Sequence, residues 1–322
     1  MQVLREISPV IVLLAICGCA APAGTAARTA VEPAPAGATP SAPPAAAPAT
    51  DHQLVDEITR ALQRADVTAA ASALERLRRA APQAPPSAEV AYFDATIHAY
   101  QGDYRGAART MYDHIDKVGP TARAAFSFHD AMIALRTADG DLLGALVECE
   151  EMVKAGSLGS WTLSEPDRVT VVKLKEHWHR AYLLRMIAQT LTGGERQAFV
   201  AYAERARRDY TALAAPLRLG DSIAVLDAYF AFCDGDRGRM REAARRVNVA
   251  EDDDVEDLYL VQLALDGAGD TAAAAAVRNR ILASAPVTVL TPVFVGWIRA
   301  DADADLPHRL SPAHPDGMRP QR

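Results

Sequence analysis

A short turn that recurs along the chain constrains the fold more than any other feature. In each copy a glycine precedes an acidic residue, and in one copy a second glycine stands between them. Glycine tolerates the left-handed conformation that ends a helix, and an acid just after it can cap the next helix. Apolar residues at helical spacing flank the copies, so the chain predicts an array of two-helix units. The turns are Gly102-Asp103, Gly140-Asp141, Gly193-Gly194-Glu195, Gly235-Asp236 and Gly269-Asp270.

The composition favours an all-α fold. Of the 322 residues, 50% are apolar but only 6% are aromatic, and alanine supplies much of the apolar total. A sequence rich in alanine, leucine, arginine and glutamate has high helix propensity. The formal net charge of -7 argues against nucleic-acid binding, which needs a clustered basic surface.

Helical periodicity divides residues 51–300 into about six two-helix units. A small residue follows four positions after the acid of most turns, and Met240 replaces it in the fifth unit. The small residues are Ala70 (after Asp66), Ala107, Ala145 and Ala274. The units span residues 53–82, 86–119, 121–156, 166–213, 220–249 and 255–284.

Residues 91–114, which contain Tyr100-Gln101-Gly102-Asp103-Tyr104-Arg105-Gly106-Ala107, resemble a tetratricopeptide repeat. The matching features are the glycine–acid–aromatic turn and the alanine where two helices pack closely. Looser matches extend the resemblance over the other units, and the unit from Pro166 is the loosest. The resemblance implies a right-handed superhelical solenoid of about six hairpins whose first helices line an inner wall. It also implies that a protein or peptide binds along that wall.

The register of that resemblance selects a set of candidate groove residues on the first helices of two units. The longest interval between turns contains a glycine-rich insertion, residues 155–163, in which Trp161 is a further candidate. Packing of Trp161 against its own solenoid is the alternative. The candidates on the first helices are Tyr92, Thr96, Tyr100, Asp130 and Ala134.

The first residues resemble a bacterial lipoprotein export signal. The apolar run at residues 9–16 is far shorter than the about 20 residues that a membrane-spanning helix needs. Ile16-Cys17-Gly18-Cys19 resembles the lipobox, which makes residues 1–18 the cleaved signal and Cys19 the lipidated residue. A plain signal peptide cut after Ala20 or Ala21 is the alternative. Acyl chains on Cys19 would bind the lipid bilayer without a transmembrane helix.

Three further segments complete the predicted organisation. Residues 19–50 are rich in alanine and proline and predict a disordered tether, residues 51–300 the repeat domain, and residues 301–322 a disordered tail. Residues 287–297 are expected to cap the last unit. Because Ala20 rather than aspartate follows Cys19, the sequence favours the outer membrane, facing the periplasm, in a cell with two membranes. In a cell with one membrane, the expected place is the outer leaflet of the plasma membrane.

No motif predicts catalysis, a cofactor or a metal site. The histidines of Glu176-His177-Trp178-His179 are two residues apart, so a helix would point them to different faces. Residues 301–305 lack the glycine and the final glutamate of a calcium loop. Residues 251–254 are acidic where a helix is expected to begin, which the helix dipole favours. Cys149 and Cys233 are expected to be buried apolar residues, with a disulfide between them as the alternative.

Together these features predict a non-enzymatic envelope lipoprotein that binds an unidentified protein or peptide of the envelope. The alternative is a small-molecule-binding component of a transport system, with a pocket enclosed by the superhelix. The aromatic residues available for such a pocket are Trp161, Trp178, Tyr229 and Phe230.

Overall fold

The secondary structure is entirely helical across the residues that the computed structural model describes, which are 51–80, 88–118, 122–158, 164–250 and 254–284. These ranges contain twelve α-helices, one 3-10 turn (Ala215–Leu217) and no strand, so the predicted all-α class is confirmed. The helices are α1 (Asp51–Gln63), α2 (Val67–Ala80), α3 (Ala88–Tyr100), α4 (Tyr104–Val118), α5 (Ala122–Asp139), α6 (Leu142–Leu158), α7 (Glu165–Thr190), α8 (Gly193–Ala214), α9 (Gly220–Asp234), α10 (Arg237–Arg245), α11 (Val255–Gly267) and α12 (Thr271–Ser284).

Four of the five recurring glycine turns have the local chemistry that the sequence predicts. The turn at Gly193-Gly194-Glu195 differs, because α8 begins at Gly193 itself and its N-cap, Thr192, makes no side-chain cap hydrogen bond. Gly102 has a φ of 78°, and the Asp103 amide donates to the carbonyl of His98, which closes the end of α3. The Asp103 carboxylate then accepts the Gly106 amide at 2.9 Å and caps α4. The turns at Gly140, Gly235 and Gly269 repeat the positive φ and the closing amide hydrogen bond.

The first turn reaches the same geometry without glycine. Ala65 has a φ of 53°, and the Asp66 amide donates to the Ala61 carbonyl as in the other turns. The Asp66 carboxylate accepts the Ala69 amide at 3.0 Å. A left-handed alanine costs free energy that glycine would not, so this turn depends on its cap and on the packing of α1 against α2.

Each helix packs mainly against its neighbours in sequence, and α9 also packs against α7 and α11. The small residues predicted at the close approach of the two helices in a unit are buried. Met240, which replaces alanine, is buried as well. The fully buried small residues are Ala70, Ala107, Ala145 and Ala274.

Two hydrophobic clusters form the core. The smaller one joins α1 and α2 to one part of α3 through Leu54, Ile58, Leu74 and Phe93. The larger one runs from α3 to α12 and contains most of the buried residues of α7, which is 26 residues long. Ser164 caps α7, and Pro166 lies in its first turn, where proline is well tolerated.

Cys149 and Cys233 are buried and free, so the expectation of two buried apolar residues is confirmed and the disulfide is not formed. Among the described helices, none combines the length and the apolar character that crossing a membrane requires. Cys19, the tether, Trp161, residues 287–297 and residues 301–322 lie outside the described residues.

Candidate binding surfaces

A groove of about 1250 Å³ lies where the turn ends of three helix pairs meet; we call it the turn-side groove. The first turns of α4, α6 and α8 and the last turns of α5 and α7 form its walls. Its lining residues are Tyr104, Arg105, Ala108, Arg109, Tyr112, Leu135, Arg136, Asp139, Gly140, Asp141, Leu142, Leu143, Ile187, Thr190, Leu191, Glu195, Ala198 and Phe199.

The α6 wall of this groove exposes apolar side chains, and they continue along α6 beyond the groove. Leu143 is 66% exposed at the groove, and Val147, one helical turn further along α6, is 57% exposed. Tyr202 is exposed one turn after Ala198 on α8. Exposed apolar side chains that adjoin a groove are typical of interaction surfaces rather than of ordinary solvent-facing helices.

Arg136 is held rigidly on the floor of the groove. Its guanidinium lies 2.6 Å from the Asp141 carboxylate and 3.0 Å from that of Glu148, which is almost completely buried. The same guanidinium lies over the Tyr112 ring, 5.7 Å from its centroid. With three partners, Arg136 shapes the floor and is not available to pair with a ligand carboxylate.

Two other charges of the groove have no such partners. They are Arg109 on α4 and Glu195 on α8, which form no ion pair within the described part of the chain. Arg105, by contrast, pairs with Asp139 at 2.6 Å. One wall therefore carries an available cation and another wall an available anion. An occupant with charges of the opposite order would be held in one direction.

A smaller pocket of about 170 Å³ lies between α7, the end of α8, the start of α9 and the start of α11; we call it the Trp178 pocket. The Trp178 and Tyr210 rings meet edge to face with their centroids 5.5 Å apart. The remaining lining residues are Val171, Leu174, Lys175, Leu219, Ser222, Asp254, Glu256 and Asp257.

A partly buried ion-pair network supports this pocket from α5. The Asp130 carboxylate accepts a hydrogen bond from His179 Nε2 at 2.7 Å and pairs with Lys175 Nζ at 3.4 Å. Although burial opposes ionisation, the Lys175 ammonium and the His179 ring hold the pKa of Asp130 well below its usual range. Burial likewise opposes the charge of Lys175, but Asp130 and the acids of the pocket raise its pKa above the usual value.

The acids at the start of α11 have different roles. Asp254 caps the helix, because its carboxylate accepts the amides of Glu256 at 2.9 Å and Asp257 at 3.5 Å. Glu256 is 6% exposed, and burial raises the pKa of its carboxyl. The predicted start of a helix just after residues 251–254 is confirmed by α11, which begins at Val255.

The candidate residues chosen by repeat register do not form one surface. Thr96 is completely buried and donates to the Tyr92 carbonyl of its own helix at 2.8 Å, and Ala134 is 6% exposed. Neither residue presents a surface to a ligand, because neighbouring helices cover both. Tyr92 and Tyr100 are half-buried, and the Tyr100 hydroxyl lies 3.4 Å from the Leu62 carbonyl. Asp130 is engaged by His179 and Lys175.

The aromatic residues proposed for an enclosed pocket do not line one common pocket. Trp178 lines the Trp178 pocket, but Tyr229 and Phe230 are completely buried in the core. His177 is half-buried and His179 is bonded to Asp130, so the two histidines do not act together. Among the described residues, no group of three or more His, Cys, Asp or Glu side chains could hold a metal ion.

Sequence reasoning missed the turn-side groove because it placed the binding wall on the first helices of the units. The groove instead combines the starts of the second helices with the last turns of the first helices α5 and α7. One signal was present: Leu142 and Leu143 are adjacent, and a helix cannot bury both against the same neighbour. Leu142 is buried and Leu143 is exposed.

No family model, curated protein or solved structure matches this chain.

Proposed function

We propose that this protein is a lipid-anchored, non-catalytic scaffold of the cell envelope that binds an apolar segment of another protein in the turn-side groove. In this proposal the helix pairs form a right-handed, tetratricopeptide-like solenoid, and the groove runs along its turn edge. The observation that carries the proposal is the exposed apolar pair Leu143 and Val147, which continues the apolar wall of the groove.

The size of the groove favours a polypeptide segment over a small molecule. Sites for small molecules usually enclose about 300–1,000 Å³ and bury most of the ligand. The turn-side groove has a volume of about 1250 Å³ and five helices contribute to its walls. A helical segment with apolar side chains at positions i, i+3 and i+4 matches such a surface.

The available charges define the chemistry of the partner. Arg109 lies on the α4 wall and Glu195 on the α8 wall. A partner segment would therefore carry an acid at the end that faces α4 and a base at the end that faces α8. Complementary charges of this kind set direction and association rate more than affinity.

The predicted anchor gives this binding a location. Acyl chains on Cys19 would hold the protein on a bilayer, and residues 19–50 would let the folded body stand up to roughly 90 Å away from it. We place the groove in the periplasm, on an outer-membrane anchor, in a two-membrane cell. The protein would thus keep its partner within reach of a membrane surface.

Site-specific photocrosslinking in native envelopes tests the groove. A photoreactive amino acid at Leu143 is expected to capture one partner, and the crosslinked peptide should show apolar spacing with an acid at one end. The double change Leu143→Asp/Val147→Asp should weaken binding of that synthetic segment by about 30-fold, roughly 2 kcal/mol, because it places charge on the apolar contact.

Leu282→Asp is the matched control, since Leu282 is another exposed leucine but lies on α12, away from the groove. It should leave binding unchanged. Equal weakening by both variants, or a crosslinked peptide without apolar spacing, would contradict the proposal.

The anchor is tested separately by Cys19→Ser. The variant should remain unprocessed and should lack the mass of the acyl chains in intact-protein mass spectrometry. Normal processing of the variant would instead support a plain signal peptide.

A further inference from the structure

We infer that the acidic run at residues 301–305 of this chain binds to an arginine stripe along α10. The α10 arginine stripe consists of Arg237, Arg241 and Arg245. The inference does not rest on the proposed function, because α10 contributes no residue to the turn-side groove. It gives a binding partner to the first residues of the predicted tail, which lie outside the described residues.

The helix α10 carries an excess of positive charge on an acidic protein. Residues 237–246 contain five arginines and one acid, Glu242, whereas the whole chain has a formal net charge of -7. Met240, Ala243 and Ala244 are buried, so the arginines border the opposite side of the helix, and four of the five are exposed. A local excess of one sign on a solvent-facing helix attracts a partner of the opposite sign.

The carboxylates of the fold neutralise little of this charge. Arg239 lies 3.4 Å from the Asp234 carboxylate, which already pairs with the buried Arg185. Arg246 likewise shares its carboxylate, that of Asp227, with an arginine of α8. Each of these two carboxylates on α9 therefore serves two arginines, and neither pairs with the stripe.

The three arginines of the stripe have no carboxylate partner in the described part of the chain. Arg237 and Arg245 are exposed and form no ion pair there. Arg241 is half-buried, and its Nη2 donates to the Ala268 carbonyl at 2.8 Å, which positions the guanidinium without neutralising its charge. The stripe therefore presents three cationic groups to an acidic occupant.

The spacing of the stripe matches that of the acidic run. Arg237, Arg241 and Arg245 are four residues apart, which places them about 6 Å apart along one side of α10. The three aspartates of residues 301–305 alternate with alanine. In an extended segment, side chains two residues apart point to the same side at intervals of about 6.7 Å. An extended run can therefore place one carboxylate opposite each arginine.

The connection from α12 is long enough to bring the run to α10. Through its contact with Ala268, Arg241 lies next to the end of α11, three residues before α12 begins at Thr271. The 14 residues of α12 cover roughly 20 Å, so Ser284 is within roughly 35 Å of that guanidinium. The seventeen residues from there to residue 301 can extend about 56 Å. The run therefore reaches the stripe without full extension of the connection.

Another acidic segment is closer in sequence but is poorly placed. Residues 251–253 join Ala250 to Asp254, so they belong to the connection between the end of α10 and the start of α11. Arg237 lies at the opposite end of α10, eight residues or about 12 Å from Arg245. An acidic partner for the whole stripe therefore has to come from elsewhere.

Attachment to the same chain makes weak ion pairs sufficient. Exposed ion pairs bind weakly one at a time, but three pairs on one short run act together. Because the run is tethered to α12, its effective concentration at the stripe is on the order of millimolar. A second copy of the chain at micromolar concentration would compete poorly with it.

Site-specific photocrosslinking in the full-length chain tests this binding. A photoreactive amino acid replaces Ala304, which leaves the three aspartates intact. Mass spectrometry should map most crosslinks to residues 237–246. Salt at 1 M, which shortens the Debye length to about 3 Å, should reduce these crosslinks at least about fivefold. Crosslinks spread over the helices without preference for α10 would overturn the inference.

Charge-removing variants locate the contact on both sides. Arg237→Gln/Arg245→Gln should lower crosslinking to α10 at least about fivefold, because two of the three cationic groups are lost. Asp301→Asn/Asp305→Asn should have the same effect. The aspartate variant changes no residue of the described helices, so it keeps the test decisive if the arginine variant unfolds.

Arg60→Gln/Arg79→Gln is the matched control, since it removes two exposed arginines of α1 and α2. It should change crosslinking to α10 less than about twofold. Equal decreases in the stripe variant and in this control would overturn the inference.

Two other occupants of the stripe are distinguished by related experiments. When isotope-labelled and unlabelled protein are mixed, crosslinks should stay within one chain; mainly mixed products would assign the stripe to a second copy and overturn the inference. A photoreactive amino acid at Glu242 should still capture residues 301–305 in the presence of phosphatidylglycerol vesicles. Capture of lipid instead would assign the stripe to an anionic membrane and would also overturn the inference. Neither outcome affects the turn-side groove.

Discussion

The turn-side groove and the Trp178 pocket both use α7, but they hold their charges differently. In the groove, the Arg105 side chain is 67% exposed while it pairs with Asp139. Behind the pocket, the His179 side chain is 4% exposed while it pairs with Asp130. Exposed pairs contribute little to stability, whereas breaking a buried pair leaves an uncompensated charge. The comparison teaches that an exposed pair such as Arg105–Asp139 can be broken at little cost, whereas the Asp130–His179 pair helps to hold the fold together.

The largest expected effect is a loss of stability that differs between the two regions. Asp130→Asn should lower the free energy of unfolding by about 2 kcal/mol, because it removes the charge that pairs with Lys175 and the buried His179, while the Asp130 side chain is itself 23% exposed. Urea unfolding followed by circular dichroism measures it. Asp139→Asn, the matched change in the groove, should cost far less because Arg105 is exposed. Equal losses of stability in the two variants would contradict this difference between the two regions.

Acid should act on the same network. The pKa of Asp130 lies well below the unfolded value of 3.8, so its ion pairs stabilise the fold above that pH. Their contribution is lost as the pH falls through the folded value. Between pH 5 and pH 2, the wild type should therefore lose more stability than Asp130→Asn does, as measured by urea unfolding at each pH. Parallel pH profiles would show that Asp130 is not the group responsible.

A glycine substitution in one of the recurring turns should have an intermediate effect on stability. Gly102→Ala should cost about 1–2 kcal/mol, because Gly102 has a φ of 78° that an L side chain disfavours. Gly194→Ala, in the first turn of α8, meets no neighbouring atoms and should be neutral or slightly stabilising. Thermal unfolding compares the two. A loss at Gly194 as large as that at Gly102 would contradict the assigned turn geometry.

The smallest expected effect concerns the available charges of the groove. Arg109→Glu should weaken binding of the partner segment by a factor of about five, and added salt should reduce the difference. The stability of the protein should not change, because Arg109 forms no ion pair in the described structure. Binding of a partner segment with its acid changed to lysine should recover in Arg109→Glu, as measured by calorimetry. Absence of recovery would mean that Arg109 does not face that acid.

The features that the sequence predicted well depend on local chemistry. A left-handed glycine and a capping aspartate act within one turn, so the helix ends at Gly102, Gly140 and Gly235 could be placed from the chain alone. The turn at Ala65 was found through Asp66, because no glycine marks it. The buried alanines after the turns follow from the same local pattern.

The binding surfaces could not be predicted because they depend on how distant helices pack. Asp130 and His179 are 49 positions apart in sequence, and nothing local shows that they touch. Repeat register placed Thr96 and Ala134 on a binding wall, but neighbouring helices cover both residues. The helices α7 and α8 are 26 and 22 residues long, whereas the six helices before them have 13 to 18 residues, so a regular repeat is a poor guide to exposure there.

The division of the core has a mechanical consequence. The pair α1–α2 rests on the smaller cluster, and neither helix contributes a residue to the turn-side groove or the Trp178 pocket. A pull applied at Asp51, the first residue of α1, reaches this pair before any other. The pair should unfold at a lower force than the rest, and in the proposed anchored protein its unfolding would lengthen the connection to the membrane. Unfolding of α1 and α2 would then relieve the tension before it reaches the helices that line the turn-side groove.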